Sequence, residues 1–153
     1  MKIVRVNDLN GAEICDKFLN QLIKFESDFD DLINSNFVVN NFYKKSLDNE
    51  NINLSIAMEN NKLVGYIFAY RKYEKNTSFK NDIIFIDGLF VDEKYRHSGI
   101  GTKLIKYIEN WSREKYENPY IEITYIKSNI NAEKCYKKLG YEPVREILRK
   151  KVK

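Results

Sequence analysis

Ile83-Ile84-Phe85-Ile86-Asp87-Gly88-Leu89-Phe90-Val91 runs directly into Asp92-Glu93-Lys94-Tyr95-Arg96-His97-Ser98-Gly99-Ile100-Gly101-Thr102, and then into Lys103-Leu104-Ile105. The first part is an apolar, Ile-rich run flanked by polar residues, the pattern of a strand buried on both faces. From Ile100 the period changes. Ile100, Leu104, Ile108 and Trp111 fall on one face of a helix, and Lys103, Lys106, Glu109, Asn110 and Arg113 fill the other. Between strand and helix lies a short loop with Arg96, Ser98, Gly99, Gly101 and Thr102. The two glycines let backbone come close to a ligand. The first helical turn adds unpaired N–H donors and the positive end of the helix dipole. Together these make an anion site suited to phosphate, to which Arg96 can add a bidentate contact. Taken alone, the two glycines serve equally well to end a strand and admit a helix. The spacing excludes two common phosphate loops. A dinucleotide fingerprint has two spacer residues before its last glycine, and no Gly-Lys-Ser/Thr of a Walker loop follows.

Working outward, Lys2–Val6 reads as a short strand and Ala12–Phe25 as a helix, with Ile14, Phe18, Leu22 and Phe25 along one stripe. The acidic, aromatic segment Glu26-Ser27-Asp28-Phe29-Asp30-Asp31 follows. A solvated junction is its ordinary reading; a carboxylate wall that attracts an amine is the functional one. A second helix is expected over Asn40–Asp48. Ile52, Leu54, Ile56 and Met58 alternate as a strand, Asn60-Asn61 makes a hairpin turn, and Leu63–Tyr70 returns, with Gly65 at a close approach or bulge. Arg71–Asn81 reads as a loop. Pro119 opens a strand to Ile126. A short helix follows with Ala132, Cys135, Tyr136 and Leu139 on one face, stopped by Gly140. Tyr141–Val152 is expected to form a last strand. The predicted order is β-α-α-β-β-β-α-β-α-β: an α/β (α+β) chain, residues 1–153 as one domain, with a mixed sheet covered by helices on both faces.

Composition narrows the function. With 43% hydrophobic and 31% charged residues, the sequence is that of a globular chain with one core. The net charge of +4 is modest and dispersed, and it suits an anionic ligand at least as well as nucleic acid. No helix-turn-helix, zinc or RNA-binding signature supports a nucleic-acid partner. One histidine and two cysteines, Cys15 and Cys135, offer no metal spacing, and both thiols fall at apolar helical positions expected to be buried. No apolar run approaches membrane-spanning length and no signal-peptide pattern opens the chain, so a cytoplasmic protein without a membrane partner is expected.

The loop Arg96-x-x-Gly99-x-Gly101, placed after Leu89-Phe90-Val91, resembles the phosphate loop of the GNAT superfamily of N-acetyltransferases. A second stretch, Asn129-x-x-Ala132-x-x-x-Tyr136-x-x-x-Gly140-Tyr141, is similar to that family's carboxy-terminal pattern. The resemblance covers roughly Ile52 to Tyr141. It departs at the end, where many members finish with two strands in a hairpin and this chain has room for one long strand. That leaves the last wall of the acceptor site, and its completion by a partner chain, open.

The resemblance implies an acetyl-CoA-dependent N-acetyltransferase acting on a primary amine of a small molecule or peptide, in a ternary complex, with a homodimer compatible. It implies that Arg96, His97, Ser98, Gly99, Ile100, Gly101 and Thr102 hold the pyrophosphate. The backbone of Leu89, Phe90 and Val91 would pair with the pantetheine arm beside a bulge at Asp87-Gly88, and Asn129 would either bind that arm or cap its helix. Tyr136 is the implied acid for the departing thiolate; its bland alternative is a packed aromatic. Asp87 is the first candidate base and Glu122 the second, each of which could equally be a rim carboxylate. Two other readings stay on the same fold: an acyl-CoA sensor without chemistry, and a binder of a different nucleotide phosphate.

Overall fold

A computed structural model describes residues 1–153. Strands β1 (Lys2–Arg5), β2 (Ile52–Glu59), β3 (Lys62–Tyr73), β4 (Ile83–Val91) and β5 (Tyr120–Ile123) lie side by side in sequence order in one sheet. β1 to β4 pair antiparallel and β5 pairs parallel to β4. Helix α1 (Leu9–Glu26) lies between β1 and β2, α2 (Ile100–Lys115) between β4 and β5, and α3 (Ile130–Lys138) follows β5. The mixed, mostly antiparallel sheet with helices on both faces is the architecture expected.

Local chemistry sets the elements. Asp8 starts α1 by accepting from the N–H of Gly11 at 2.7 Å. Asn60 and Asn61 both take left-handed backbone, φ 50° and 62°, as a two-residue hairpin turn requires. Gly65 is forced by packing, since a Cβ there would stand 2.4 Å from the carbonyl oxygen of Phe90. One face of the sheet buries Leu54, Ile56, Tyr66, Phe68 and Phe90 against Ala12, Cys15 and Phe18 of α1. The opposite face buries Val64, Ile67, Ile84 and Ile86 against Ile100, Leu104, Ile105 and Ile108 of α2.

β4 changes parity midway. Ile84 and Ile86 face α2, and so do Leu89 and Val91, while Phe90 faces α1. A continuous strand cannot place even and odd positions on one face. The pairing with β3 jumps from Phe68↔Gly88 to Ala69↔Ile86, so Asp87 is the extra residue of a β-bulge. The bulge anticipated at Asp87-Gly88 is therefore present.

Four expectations change. Asn40–Asp48 holds a single 3-10 turn, Tyr43–Ser46, instead of a helix. The buried carboxylate of Asp16 accepts from the N–H groups of Phe42 and Tyr43 at 3.2 and 3.0 Å and fixes its start, and left-handed Asn41 and Asp48 bound it. β3 continues to Tyr73, into the segment read as a loop. Cys135 is half-buried where a buried thiol was expected; Cys15 is fully buried. Tyr141–Val152 forms no strand. Its apolar Ile147 and Leu148 are adjacent, so a one-sided sheet position would bury only one of them.

Candidate active site

β4 and β5 pair only from Ile83↔Tyr120 to Ile86↔Ile123. Beyond that they separate, and Leu89–Val91 face Thr124–Ile126 across a cleft of about 200 Å³. Leu22, Phe25 and Glu26 of α1 close one side, and Asn129, Ala132 and Tyr136 of α3 the other. The Asp92 N–H donates to Val64 on β3, so by strand alternation the N–H and C=O of Leu89 and Val91 point the other way, into the cleft. Arg96 caps the carbonyl of Val91 through its Nε at 2.9 Å. Its guanidinium also lies over the Phe25 ring, 4.2 Å from the centroid. That leaves the two terminal nitrogens of Arg96 to meet an anion, so the full fork is not available.

Past Arg96 the backbone becomes a cradle. Left-handed His97 and Gly99, φ 62° and 83°, turn the chain into α2. No backbone carbonyl accepts from the N–H groups of His97, Ser98, Gly99, Ile100, Gly101 or Thr102, and no side chain caps the helix. A Cβ at Gly99 would meet nothing within 4 Å. The run of donors is therefore open to approach, at the positive end of α2. Ser98 turns its hydroxyl inward to the Tyr95 carbonyl, so it presents its backbone instead of its side chain. Ile100 is buried in the core, and His97 is exposed.

Tyr136 lines the cleft from α3, flanked by the rings of Tyr125 and Tyr141 at 6.1 and 6.4 Å. Burial holds its phenol well above the ordinary range, with smaller contributions from Cys135 and Glu26. It is protonated at neutral pH. Asn129 caps α3, its Oδ1 accepting from Ala132 at 3.1 Å, and its side chain also borders the cleft.

The far mouth is acidic. Glu26 lines the cleft; burial raises its carboxyl, and the charge of Asp87 raises it further. Asp87 stands just outside, exposed at the bulge, yet surrounding protein raises its carboxyl as well, with Lys72 opposing. Below the bulge the hydroxyls of Tyr43 and Tyr66 meet at 2.9 Å. A Cβ on Gly88 would stand 2.7 Å from the Tyr66 oxygen. Asp30 is bound by Arg149 through two contacts of 2.8 and 2.9 Å, and Asp28 is exposed, so of the acidic run only Glu26 borders the cleft. Glu122 sits on β5 opposite Phe85, outside the cleft lining.

The profile of the acetyltransferase (GNAT) family matches residues 18–141. The chain belongs to this family. A spermine/spermidine N(1)-acetyltransferase of Bacillus subtilis strain 168 is 29% identical over 80 residues, 52% of this chain and 53% of the relative. A probable spermine N(1)-acetyltransferase of Bacillus subtilis subsp. natto is 28% identical over the same share. The chain thus spans about half the length of the curated relatives it matches. Among solved structures, a mutant of the BH1408 protein from Bacillus halodurans superposes with a TM-score of 0.82 at 18% identity, covering 99% of each chain. The aminoglycoside N-acetyltransferase AAC(6')-Iy in complex with CoA gives 0.73 at 18% identity, again over 99% of each. At that identity these likenesses speak for the fold, a GNAT fold.

Several residues of this GNAT cleft escape a reading of the sequence. Phe25 beneath Arg96 was legible as a helix-stripe residue but not as a platform. The Tyr43–Tyr66 pair joins two segments far apart in the chain, and no local signal announces it. Thr124–Ile126 read as strand, and they become cleft wall because pairing ends at Ile123. No helix is long and apolar enough to cross a membrane.

Proposed function

We propose that this chain transfers the acetyl group of acetyl-CoA to a primary amine of a cationic small molecule, within a complex that holds both. The observation that supports this reading is the continuity of three features: the open N–H run His97–Thr102, the free backbone edge of Leu89 with the N–H of Val91, and a mouth lined by Glu26 with Asp87 beside it. The residues fit the anionic end of the cofactor. The cradle has donors without acceptors, and Gly99 and Gly101 offer no side-chain obstruction.

When bound, acetyl-CoA supplies a thioester activated for attack by nitrogen. The backbone N–H groups of His97–Thr102 bind the pyrophosphate, with the terminal nitrogens of Arg96 reaching the same charge. Leu89 and Val91 orient the pantetheine arm as an added strand edge, and an N–H beside the bulge polarises the carbonyl. Asn129, already a helix cap, has its amide nitrogen left for the arm. Asp87 accepts the proton of the amine directly or through water, its raised carboxyl bringing its basicity nearer to working pH. Glu26 attracts and orients the cationic acceptor. Tyr136 holds its proton until the thiolate leaves and donates it there. The curated relatives' action on spermine and spermidine, and the neighbours named as aminoglycoside acetyltransferases, support a polycationic acceptor. A cytoplasmic setting, where acetyl-CoA is made and used, suits the reading.

The test is thiol release from acetyl-CoA across a panel of spermidine, spermine, aminoglycosides and amino acids. Polyamines or aminoglycosides should turn over with KM values that rise with salt. In Tyr136→Phe, turnover should fall roughly 10²–10⁴-fold, as for a lost proton donor, with little change in KM for acetyl-CoA. Turnover of neutral or anionic acceptors alone would refute the cationic reading. Undiminished turnover in the variant would refute the role of Tyr136.

A further inference from the structure

The apolar cluster under α1 ends at Phe68 of β3 and Phe90 of β4, with Tyr70 packed on its rim. Past that rim two rows of paired residues cross the same face of β3, β4 and β5. One is Tyr70, Phe85 and Glu122; the other is Tyr73, Ile83 and Tyr120. Ile83 is buried beneath them, but Tyr70, Tyr73, Phe85 and Glu122 are only half-buried and Tyr120 is exposed. The rings of Tyr70 and Phe85 meet edge-on at 5.9 Å between centroids. The result is an aromatic shelf with a carboxylate, Glu122, at its side.

Two bulges aim opposite charges at this shelf. Asp87 is the extra residue of the bulge in β4. In β3 the pairing jumps from Arg71↔Ile84 to Tyr73↔Ile83, which makes Lys72 an extra residue in the same way. The Lys72 ammonium lies over the Phe85 ring, 4.5 Å from its centroid, and 5.6 Å from that of Tyr73. It forms no ion pair, so only its attraction to the rings and the nearby negative charge hold it there. Asp87 faces the same space: burial raises the Tyr70 phenol and the charge of Asp87 adds to it, while the charge of Lys72 opposes the rise in Asp87 itself.

A ring face beside carboxylates is the set of groups that recognises an alkylammonium ion. Lys72 displays the fit, since its side chain is a primary ammonium on a four-carbon stem. Asp87 borders the cleft mouth on one side and the shelf on the other. Phe85 precedes it by two residues, about 7 Å along the strand. A short alkyl chain with an amine at each end spans that distance.

Resting on the acetyl-transfer reading above, we propose that the shelf binds a second, non-reacting ammonium of the acceptor, and that Lys72 occupies it in the free protein. The reacting amine stands at Asp87 near Glu26. The other end of the acceptor lies on Phe85 beside Glu122, and Lys72 swings out into water. Lys72 is thus a tethered competitor for the second charge. A monoamine has nothing to place on the shelf and leaves Lys72 where it is.

The probes are 1,4-diaminobutane and butylamine, which differ only in the second amine. With acetyl-CoA and the full chain, 1,4-diaminobutane should have the lower KM. Lys72→Gln removes the competitor and should widen the ratio of the two KM values by about twofold to fivefold, the worth of one exposed cation–π contact. Phe85→Leu and Glu122→Gln should each narrow it by a similar factor; Glu122 is at the sheet edge, so its variant keeps the test open where loss of the Phe85 ring disturbs the fold. A second readout needs no turnover. The ε-methylene NMR resonance of Lys72, assigned by its loss in Lys72→Gln, is shifted by the Phe85 ring. It should move to the position of a solvated lysine on addition of 1,4-diaminobutane and stay in place on addition of butylamine. Equal KM values for the two amines, a ratio unmoved by all three variants, or a Lys72 resonance indifferent to 1,4-diaminobutane overturns the proposal. Displacement of Lys72 without turnover of either amine would keep the shelf as an alkylammonium site and remove the acetyl-transfer reading. Turnover of both amines with Lys72 undisturbed would do the reverse.

Discussion

Gly88 lies against two phenol oxygens in the most closely packed part of the bulge. A methyl group there would sit 2.7 Å from the Tyr66 hydroxyl and 3.1 Å from that of Tyr43. Both tyrosines are fully buried, their hydroxyls bonded to each other, and burial holds both phenols neutral. They cannot swing aside without breaking a buried bond and the ring contacts with Phe18 and Phe68. Gly88→Ala should therefore destabilise the fold by about 1–3 kcal/mol, the usual cost of overpacking. Tyr66→Phe in the same background removes the nearest oxygen but leaves the ring edge, and should restore part of the loss. Denaturant unfolding of the two single variants and the double variant measures this as a favourable coupling of roughly 0.5–3 kcal/mol. Strict additivity would show that Tyr66 does not support the bulge. None of this was legible in the sequence: Asp87-Gly88 announces an interruption, but only the fold says which side chains stand under it.

At the scale of elements, α2 offers a separation of binding from folding. Gly101 lies within the first turn of the helix, where its backbone is ordinary, and an added Cβ would meet only Val91 Cγ2 at 3.9 Å. Gly99 has φ 83°, so any side chain there strains the backbone as well as blocking the cradle. Gly101→Ala is thus the cleaner probe. It should raise stability by about 0.5–1 kcal/mol, the helical advantage of alanine over glycine. On the proposed reading it should also raise KM for acetyl-CoA, because its methyl would enter the space proposed for the pyrophosphate. A higher melting temperature with an unchanged KM would remove Gly101 from the cradle. The elements that form the cleft were readable because their causes are local: the β4 run, the two glycines, the paired asparagines of the hairpin, the stripe of α2. The misses have non-local causes. The turn at Tyr43 is fixed by Asp16 on another element, and no strand of the sheet pairs with Tyr141–Val152. The site was half legible for the same reason: its backbone came from the β4–α2 stretch, whereas the selection of Glu26 from the acidic run came from the way α1 packs beside the cleft.

Across the whole molecule, the sheet separates two chemistries. The donors of the cradle gather at the α2 end, and the carboxylates of Glu26 and Asp87 gather on the side of α1, with the opening between β4 and β5 joining them. This polarity has a consequence for stability. Burial raises the carboxyl of Glu26, and Asp87 raises it further; the protein around the exposed Asp87 raises its carboxyl too, with Lys72 opposing. A carboxyl whose pKa is higher folded than unfolded binds its proton more tightly in the folded state. Between the two pKa values the folded chain holds more protons, so stability falls as pH rises through that window. These two residues therefore oppose folding at neutral pH, unlike a carboxylate in an ion pair, which would support it. Asp87→Asn and Glu26→Gln keep the size and remove the charge. Each should raise the melting temperature at pH 7, and the gain should shrink as the pH is lowered into the range where the wild-type carboxyls are protonated. Turnover should move the other way. On the proposed reading Asp87→Asn loses the base, and its effect should appear mainly in kcat; Glu26→Gln loses attraction for the proposed cation, and its effect should appear mainly in the acceptor KM. Melting curves from acid to neutral pH, beside steady-state kinetics with an acceptor from the thiol-release panel, measure both at once. A variant that loses stability at pH 7 would mean that its carboxylate is held by partners. It would then be a structural ion and not part of the mouth.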